Sequence, residues 1–383
     1  MRRRLRLGMV GGGSGAFIGE VHRIAARLDD RYRLVAGALS ASPEKARASG
    51  EALGLEPERT YVSFDAMADT ESQREDGIDV VAIVTPNHLH YPVASRFLKR
   101  GIHVICDKPL TTNSADARAL VALVKESGLV FGLTHNYTGY PLVRHARHLV
   151  RGGALGALRV VQVEYAQDWL STRLEGTGQK QAAWRTDPAQ AGPVGCLGDI
   201  GSHAFQLAAF ITGLELEELC AELTRFVPGR ELDDDCQLLL RYAGGARGSL
   251  WSSQVAAGNE NALSIRIYGE EGGLAWSQEN PNRLVHSPLG EPPRVLTRGA
   301  PGMSPAAARA TRIPSGHPEG YLEGFATLYA DLADQIHAHL KGEPAPEESL
   351  LVPTAAEGAG VVRFLESAVE SNRRGGHWVR LSS

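Results

Sequence analysis

The sequence predicts an α/β protein in which a doubly wound parallel sheet precedes an α+β domain with a large, open, mainly antiparallel sheet. Up to residue 136, continuous apolar runs alternate with helical patterns, which is typical of parallel strands that are buried on both faces. Beyond residue 140, strand candidates follow one another with few helices between them, which favours antiparallel pairing. A chain of 383 residues is too long for one ordinary hydrophobic core, so we expect two domains, 1–136 and 137–383.

Five apolar runs are the predicted strands of the first domain: 5–10, 32–39, 79–85, 102–106 and 129–135. Between these runs, apolar residues recur at helical spacing, for example Val93, Phe97 and Leu98. Strand–helix alternation requires right-handed crossovers between parallel strands. The pattern therefore predicts a Rossmann-type sheet with helices on both faces.

Four runs are the predicted strands of the second domain: 158–167, 236–245, 246–255 and 263–269. A segment rich in Gly and Pro (191–198) leads into a helix that ends at Gly213. We expect long surface loops over 279–318, where Pro, Gly, Ala and Arg dominate, and helices over about 319–341 and 353–374. An open sheet with a half-apolar face is a natural subunit surface, so we expect a homodimer or homotetramer formed through this sheet.

Composition and charge exclude several classes of protein. The net charge of −4 and the isoelectric point near 6.4 give no basic excess for nucleic acid. No apolar run approaches the roughly 18 residues of a membrane helix, and the basic opening lacks the apolar stretch of a secretory signal. The four cysteines lie far apart without a Cys-x-x-Cys pair, which favours reduced thiols. We therefore expect a cytoplasmic protein with neither a nucleic-acid nor a membrane partner.

The segment GMVGGGSGAFIGEVH follows the first predicted strand and opens the first predicted helix. Gly11, Gly13 and Ala16 match the dinucleotide-binding pattern G-x-G-x-x-G/A, and Gly19 is a candidate for the glycine that packs the helix against the strand. Glycines permit the tight turn and let main-chain amides approach a pyrophosphate. The residues expected at the cofactor here are Gly11, Gly13, Gly15, Ala16, Phe17 and Ile18. The alternative is an ordinary turn between a strand and a helix.

The end of the second predicted strand bears on the choice between NAD and NADP. NAD sites usually place an acidic residue there for the 2′-hydroxyl of the ribose, but the segment AGALSASPEKAR has none at the tip. Ser40 and Ser42 can donate to a phosphate and Lys45 can neutralise it, which slightly favours NADP. The alternative is that these are ordinary residues of a helix start.

Two further motifs stand where later strands end: Thr85-Pro86-Asn87-His88-Leu89-His90 and Asp107-Lys108-Pro109. Ligands of open α/β sheets bind beyond the carboxyl ends of the strands. A third motif, Gly198-Asp199-x-x-x-His203, lies in the second domain. Together with the glycine loop, and in this order over nearly the whole chain, these motifs resemble the Gfo/Idh/MocA family of oxidoreductases. That family usually has Glu-Lys-Pro, and Asp107 keeps the charge of the glutamate on a shorter side chain.

The resemblance implies that Lys108 contacts a substrate hydroxyl and the nicotinamide ribose, that His203 is the acid/base and that Asp199 binds substrate. Histidine suits proton transfer because its unperturbed pKa of about 6.5 is near working pH. A spacing of four places Asp199 and His203 on one face of a helix. The alternatives are a solvent-exposed lysine, a helix-capping aspartate and a core histidine. The further residues expected at NAD(P) are Thr85, Pro86, Asn87, His90, Asp107, Lys108 and Asn136.

Substrate contacts are expected from the end of the first strand of the second domain. Gln167 and Asp168 can form hydrogen bonds, and Trp169 provides a flat aromatic surface. Sugars bind to this combination because they have both hydroxyl groups and apolar C–H faces. This stretch resembles that of family members that oxidise anhydrosugars and inositols. The other residues expected to line the pocket are Tyr137, Trp184 and Arg185. The alternative for all of them is a packing cluster between the domains.

Metal ligands are not expected. Asp199 and His203 lack a third ligand of clear spacing, and His88 and His90 belong to the nucleotide domain. The acidic run 233–235 is expected to be a solvated strand entry rather than a calcium loop.

The function predicted from these motifs is hydride transfer between NAD(P) and a secondary alcohol or ketone of a sugar, cyclitol or related polyol. One alternative keeps the fold and changes the reaction, namely an NAD-dependent glycoside hydrolase that oxidises its substrate transiently. The other is a non-catalytic regulator that senses sugar and nucleotide. Retention of the candidate lysine, aspartate and histidine favours the enzyme.

Overall fold

A computed structural model describes residues 3–381 of the chain. Contacts divide the chain into two compact units, the first formed by Met1–Gly139 with Tyr321–Ala359 and the second by Tyr140–Gly320 with Gly360–Ser383. The segment 321–359, which the sequence led us to place in the second domain, lies in the first unit. Each unit has its own sheet.

Five strands form the sheet of the first unit: β1 (Leu5–Gly11), β2 (Tyr32–Ala38), β3 (Val80–Val84), β4 (His103–Cys106) and β5 (Phe131–Leu133). Their order is β2-β1-β3-β4-β5 and every pair is parallel, which confirms the predicted Rossmann-type sheet. β3 and β4 are buried along their whole length, which explains their unbroken apolar sequences.

Five helices are interleaved with these strands: α1 (Phe17–Leu28), α2 (Pro43–Ala52), α3 (Phe64–Glu71), α4 (His90–Leu98) and α5 (Ser114–Ser127). Polar caps define several of the helix starts. Ser63 accepts a hydrogen bond from the main chain at the start of α3, and Asn113 does so for α5. Apolar side chains from strands and helices share one core, which includes Met9, Val80 and Ile105.

The helices at the start of the second unit are α6 (Pro141–Arg151), α7 (Lys180–Arg185), α8 (Pro188–Ala191) and α9 (Ser202–Thr212). A single π-helical turn, Leu197–Gly201, leads directly into α9. Most residues of α9 are buried, and the helix ends at Gly213 with a φ of +67°, a left-handed conformation that glycine adopts without strain.

Nine strands form the sheet of the second unit: β6 (Leu158–Ala166), β7 (Leu216–Thr224), β8 (Asp235–Tyr242), β9 (Arg247–Ser253), β10 (Ala262–Gly269), β11 (Gly272–Ser277), β12 (Arg283–Pro288), β13 (Arg294–Thr297) and β14 (Val379–Arg380). Their order is β13-β12-β11-β10-β6-β9-β8-β7-β14. Only the pair β6–β9 is parallel within the described chain, so the predicted mainly antiparallel sheet is confirmed.

The prediction of loops over 279–318 is wrong in part, because this segment contains β12, β13 and a short helix, α10 (Pro305–Arg309). The two strands are largely solvent-accessible, which removes the strong alternation that identifies a half-buried strand. The remaining loop is organised by Arg298, whose buried guanidinium binds Glu319 at 2.8 Å and the carbonyl oxygen of Ile313 at 2.7 Å. A buried ion pair thus anchors this loop.

Two long helices precede β14 near the end of the chain, α11 (Tyr321–Lys341) and α12 (Ala355–Arg373). α11 packs in the first unit, where Tyr329 Oη is hydrogen-bonded to His22 Nδ1 at 2.8 Å. The carbonyl oxygen of Tyr329 accepts from Tyr32 Oη at 2.8 Å, and the ring of Phe325 lies 5.1 Å from that of His22. These contacts explain why a segment so late in the sequence belongs to the first unit.

Candidate functional site

The glycine loop connects β1 to α1 with a backbone that requires glycine. Gly11, Gly12 and Gly15 have φ values of +79°, +70° and +78°. A Cβ atom on Gly13 would lie 2.6 Å from the carbonyl oxygen of Leu39. A Cβ atom on Gly19 would lie 2.4 Å from Cα of Gly12, so Gly19 is the residue at which helix and loop approach most closely. The turn is therefore longer by several residues than the G-x-G-x-x-G/A pattern implies.

The N-terminus of α1 has the features of an anion site. Ala16 is its N-cap residue, and no side chain of the described residues caps the helix. The main-chain amides of the first turn, at Phe17 and Ile18, are therefore available to a ligand. A Cβ atom built on Gly15 meets nothing within 4 Å, so the space before the helix is open. Both observations fit a pyrophosphate.

The ribose end of the predicted site contains no acidic side chain over residues 38–43. Ser42 Oγ accepts from the amide of Lys45 at 3.5 Å and caps α2, as the alternative interpretation of this segment predicts. Ser40 Oγ accepts from the amide of Ser42 at 3.2 Å. The hydroxyl hydrogens of both serines can still be donated, and Lys45 is exposed.

Asp107 and Lys108 follow β4 at the carboxyl edge of the first sheet. The amide of Asp107 donates to the carbonyl oxygen of Ile83 at 2.9 Å, which extends the ladder between β3 and β4. Asp107 Oδ1 accepts from the amide of Lys108 at 2.9 Å and from Thr134 Oγ1 at 3.0 Å. The peptide bond between Lys108 and Pro109 is cis, and Lys108 is half-buried rather than exposed at the surface.

Thr85, Pro86 and Asn87 follow β3 at the same edge of the sheet, and all three are half-buried. Thr85 Oγ1 and Asn136 Nδ2 are buried atoms without a hydrogen-bond partner among the described residues. Asn136 follows β5, so both atoms lie where the strands of the first sheet end. Buried polar atoms usually have partners, and a bound ligand would supply them. Together with the glycine loop, these atoms fit a nicotinamide dinucleotide.

His90, Tyr137 and His135 are nearly or completely buried in the first unit. The ring nitrogens of His90 face two main-chain carbonyl oxygens, so this side chain is engaged within the protein. Burial and the charge of Lys108 lower the pKa of His135 to about 3, which keeps its imidazole neutral at physiological pH. Lys108 therefore stands beside a neutral histidine.

Asp199 is the centre of a polar cluster in the second unit. Its Oδ2 accepts from Arg185 Nε at 3.0 Å and from Gln254 Nε2 at 2.9 Å. Arg185 also donates from Nη1 to Gln181 Oε1 at 2.6 Å, and its guanidinium lies 4.2 Å from the ring centre of Trp184. The structure thus brings together three of the predicted substrate residues, Trp184, Arg185 and Asp199. Gln254 is a residue that sequence reasoning missed.

His203 lies in the first turn of α9 and is buried, with its ring centre 6.4 Å from that of Tyr165. Asp199 lies in the preceding π turn, so the two residues do not belong to one regular α-helix as we expected. The sequence predicted a regular helix because a π turn differs from an α turn by one residue and leaves no compositional signal. Such turns are frequent at functional sites.

The run Asp233–Asp235 is buried, so the prediction of a solvated strand entry is wrong. Asp233 accepts from the amides of Gly195 and Leu197 at 2.7 and 2.8 Å and fixes the loop that enters the π turn. Burial raises the pKa of Asp233 to about 6, although both amide hydrogen bonds favour the charged carboxylate. Main-chain amides, together with Arg230 beside Asp234, thus replace the water that we expected around this run.

The stretch Gln167–Trp169 follows β6 and is held by side-chain contacts. Gln167 donates from Nε2 to Asn261 Oδ1 at 2.7 Å and accepts from Trp169 Nε1 at 3.0 Å. Asp168 Oδ2 accepts from the amide of Gly258 at 3.0 Å. These bonds tie the stretch to the loop 255–261, and Asn261 is a second residue that the sequence did not suggest.

No group of three or more metal-binding side chains occurs in the part of the chain that the structure describes. Within residues 3–381, no helix is long and apolar enough to cross a membrane.

Two family models match the chain. One, described as an oxidoreductase family with an NAD-binding Rossmann fold, matches residues 5–135. The other, described as the GFO/IDH/MocA C-terminal domain, matches residues 143–275. The uncharacterized oxidoreductase YfiI of Bacillus subtilis (strain 168) is 34% identical over 381 residues, which are 98% of this chain and 96% of that protein.

Three solved structures each cover 99% of the chain. An oxidoreductase from Sinorhizobium meliloti is 53% identical with a TM-score of 0.90, covering 99% of this chain and 100% of that chain. An inositol dehydrogenase homologue from Azotobacter vinelandii, in complex with NAD+, is 36% identical with a TM-score of 0.94, covering 99% and 98%. The same homologue in complex with NADH and myo-inositol gives 35% identity and a TM-score of 0.91 at the same coverage.

Proposed function

Because the chain belongs to the GFO/IDH/MocA family of NAD-binding oxidoreductases, we propose that it is an NAD(P)-dependent dehydrogenase of a cyclitol, sugar or related polyol. The observation that carries this proposal is the polar cluster of the second unit, in which Arg185 and Gln254 hold Asp199 in the turn before His203. Such a cluster offers hydrogen bonds and a proton acceptor to a hydroxylated ring. The similarity of the whole chain to a protein with bound myo-inositol supports the same substrate class.

In the proposed oxidation, the substrate loses a hydride from carbon and a proton from oxygen. Nicotinamide, when bound, supplies the hydride acceptor. His203 takes the proton from the hydroxyl group as the carbonyl forms, and returns it in the reverse direction. Lys108 donates a hydrogen bond to the same oxygen and stabilises the negative charge that develops there. Asp199 accepts from a neighbouring hydroxyl and orients the ring.

The fit of the glycine loop and the unpartnered atoms of Thr85 and Asn136 supports a dinucleotide in the first unit. At its ribose end, the missing acid and the exposed Lys45 support NADP, whereas the solved relative from A. vinelandii has NAD+ or NADH bound. The preference for NADP thus stays a prediction. Comparison of kcat/KM for the two cofactors with one saturating polyol tests it.

The proposed function is tested by incubating the protein with a panel of inositols, sugars, anhydrosugars and glycosides, with NAD or NADP. We expect absorbance at 340 nm to rise with at least one cyclitol or sugar, and the product to be the matching ketone. Lys108→Ala should remove this activity, with Lys99→Ala, an exposed lysine near the end of α4, as the matched control.

The two alternatives predict different results from the same panel. A glycoside hydrolase would cleave a glycoside while the absorbance at 340 nm stays unchanged. A regulator would bind cofactor and leave every polyol unaltered. Either result would remove the dehydrogenase from consideration.

A further inference from the structure

His90 connects the ends of two neighbouring strands in the first unit. Its side chain is completely buried at the start of α4. Nδ1 lies 2.6 Å from the carbonyl oxygen of Pro109, which follows β4. Nε2 lies 3.0 Å from the carbonyl oxygen of Thr85, which follows β3. One imidazole thus spans the gap between the two segments that hold the candidate cofactor and substrate residues.

The contact lies just beyond the last hydrogen bond of the ladder between these strands. The final main-chain bond that joins them runs from the amide of Asp107 to the carbonyl oxygen of Ile83. After this point the two chains turn out of the sheet, and parallel pairing no longer fixes their separation. The ring of His90 lies between the two segments at the level of Thr85 and Pro109.

An imidazole suits this position because its two nitrogens point away from each other along one rigid ring. Both partners are carbonyl oxygens, which only accept, and a neutral imidazole carries one N–H, so one ring nitrogen can donate. We assign the proton to Nδ1, because its contact with the carbonyl oxygen of Pro109 is the shorter one, and the Nε2 edge of the ring then packs beside the carbonyl oxygen of Thr85. A flexible glutamine side chain lacks this rigid ring and does not hold the same spacing.

The charged groups around His90 act on it in opposite directions. Burial lowers the pKa of its imidazole and the ammonium of Lys108 adds to this, whereas the carboxylate of Asp107 and the two carbonyl oxygens oppose it. His90 therefore interacts with the tripeptide Asp107-Lys108-Pro109 in two ways, through its contact with the carbonyl oxygen of Pro109 and through the charges of Asp107 and Lys108. A displacement of about 1 Å in such a group lowers turnover by about 100-fold.

We propose that His90 is a positioning residue, a brace that fixes the main chain of Lys108 and Pro109 relative to Thr85 through one hydrogen bond to Pro109 and the packing of its buried ring beside Thr85. This assignment replaces the direct cofactor contact that the sequence suggested for His90, and it rests on the proposed function in that Lys108 acts on the substrate. The brace itself is a property of the first unit and can be measured without turnover.

The first measurement is hydrogen–deuterium exchange of the peptide that contains the amides of Lys108, Leu110 and Thr111. Variants are His90→Ala, His90→Gln and the matched control His88→Ala, an exposed histidine two residues away. We expect exchange in this peptide to rise at least tenfold in both His90 variants and to match the wild type in His88→Ala. Unchanged exchange in both His90 variants would overturn the proposal.

The second measurement separates positioning from binding and from folding. We expect His90→Ala to lower kcat about 100-fold while the Kd for NADH, from its fluorescence, changes less than threefold. Exogenous imidazole should restore kcat at least tenfold in His90→Ala and have no effect on Lys108→Ala. Loss of NADH binding in step with kcat would make His90 a cofactor ligand and overturn the proposal, as would failure of both His90 variants to fold.

The outcome for the proposed function is distinguishable from the outcome for the brace. If the wild-type protein oxidises no polyol, the proposed function fails, while the exchange measurement still decides whether His90 holds the segment. If the wild type is active and exchange does not change in the His90 variants, the brace alone fails.

Discussion

Asp199 Oδ2 accepts two hydrogen bonds from side chains. One comes from the guanidinium of Arg185 at 3.0 Å and the other from the side-chain amide of Gln254 at 2.9 Å. The pair with Arg185 is partly sheltered, with 22% and 15% of the two side chains exposed, so it is less screened than a surface ion pair. Arg185 also lies over Trp184, which limits its motion. We infer that these contacts hold the carboxylate ready for a substrate hydroxyl rather than stabilise the fold.

Substitution of Arg185 tests this inference at the scale of one residue. In Arg185→Gln the carboxylate of Asp199 keeps Gln254 and loses the guanidinium of Arg185. We expect KM for the polyol to rise about tenfold, which equals about 1.4 kcal/mol, with the melting temperature nearly unchanged. Steady-state kinetics measure this effect, and Lys180→Gln, at the exposed start of the same helix, is the control. A fall in melting temperature with an unchanged KM would instead show a structural pair.

The π turn depends on a carboxylate that is far away in the sequence. Asp233 precedes β8, yet it accepts the amides of Gly195 and Leu197 and so sets the path of the chain into Leu197–Gly201. The folded pKa of about 6 lies above the ordinary 3.8 because the group is buried. At neutral pH the carboxylate is therefore charged although it is buried, and its hydrogen bonds to the two main-chain amides hold the π turn in place.

Asp233→Asn should reveal that role. The amide has one acceptor oxygen and a donor nitrogen, so one of the two main-chain amides loses its partner and the turn that carries Asp199 loosens. We expect KM for the polyol to rise at least threefold, and kinetics with the saturating cofactor measure it.

The difference in unfolding free energy between the wild type and Asp233→Asn should also depend on pH, in a direction that the pKa of Asp233 determines. Because the folded pKa is raised, the folded state binds the proton more tightly than the unfolded state between pH 3.8 and about 6. Relative to Asp233→Asn, the wild type should thus lose up to about 3 kcal/mol of unfolding free energy as pH rises through this window. Denaturant titrations at several pH values measure the difference, and parallel curves would contradict the assignment.

The elements that sequence predicted well are those whose signal is local. The strands β3 and β4 are continuous apolar runs because both faces are covered, and the glycine loop needs glycine wherever φ is positive.

The features that could not be predicted from the sequence depend on partners that are distant along the chain. Gln254 reaches Asp199 only because β9 lies beside the π turn, and the burial of Asp233 depends on amides nearly forty residues earlier. β12 and β13 lie at one edge of the sheet, and apart from Leu284 their residues are partly or fully exposed, so no alternation marks them.

Buried histidines make the stability of the whole molecule sensitive to acid. Burial lowers the pKa to about 4 in His22 and His103 and to about 3 in His135. Since these values lie below the ordinary 6.5, the unfolded state binds more protons once pH falls below 6.5. The stability that they contribute is present above pH 6.5 and is lost progressively towards pH 4. The contribution of Asp233 to the unfolding free energy rises as pH falls over part of this window. Because three histidines oppose this one carboxylate, we expect the net unfolding free energy to fall.

His103→Asn should reduce this acid sensitivity. His103 Nδ1 accepts from the amide of Val130 at 3.0 Å, and an asparagine oxygen can take the same place without titrating. Between pH 7 and pH 5 we expect the variant to lose about 2 kcal/mol less unfolding free energy than the wild type. Denaturant unfolding at both pH values measures this, with the exposed His88→Asn as the control. An equal loss in wild type and variant would contradict it.

The outer face of the second sheet carries exposed apolar side chains. Leu239 on β8 and Tyr268 on β10 are 54% and 43% exposed, and both alternate with buried neighbours. We propose that this face joins two or more copies of the chain, because exposed apolar residues on one extended sheet favour association. We expect Leu239→Lys to shift the protein to monomer in light scattering, and Leu289→Lys, exposed beyond β12, to leave the oligomer intact. A monomeric wild type would end this proposal.

We propose above that Lys108 stabilises the charge on the substrate oxygen whose proton His203 takes. A double-mutant cycle on kcat/KM tests it most directly, with Lys108→Ala, His203→Ala and the double variant. We expect each single substitution to lower kcat/KM by at least about 100-fold and the double variant to be within about threefold of the worse single one. If the two losses multiply, or if either single variant keeps the activity of the wild type, the two groups do not act together and the proposed mechanism is wrong.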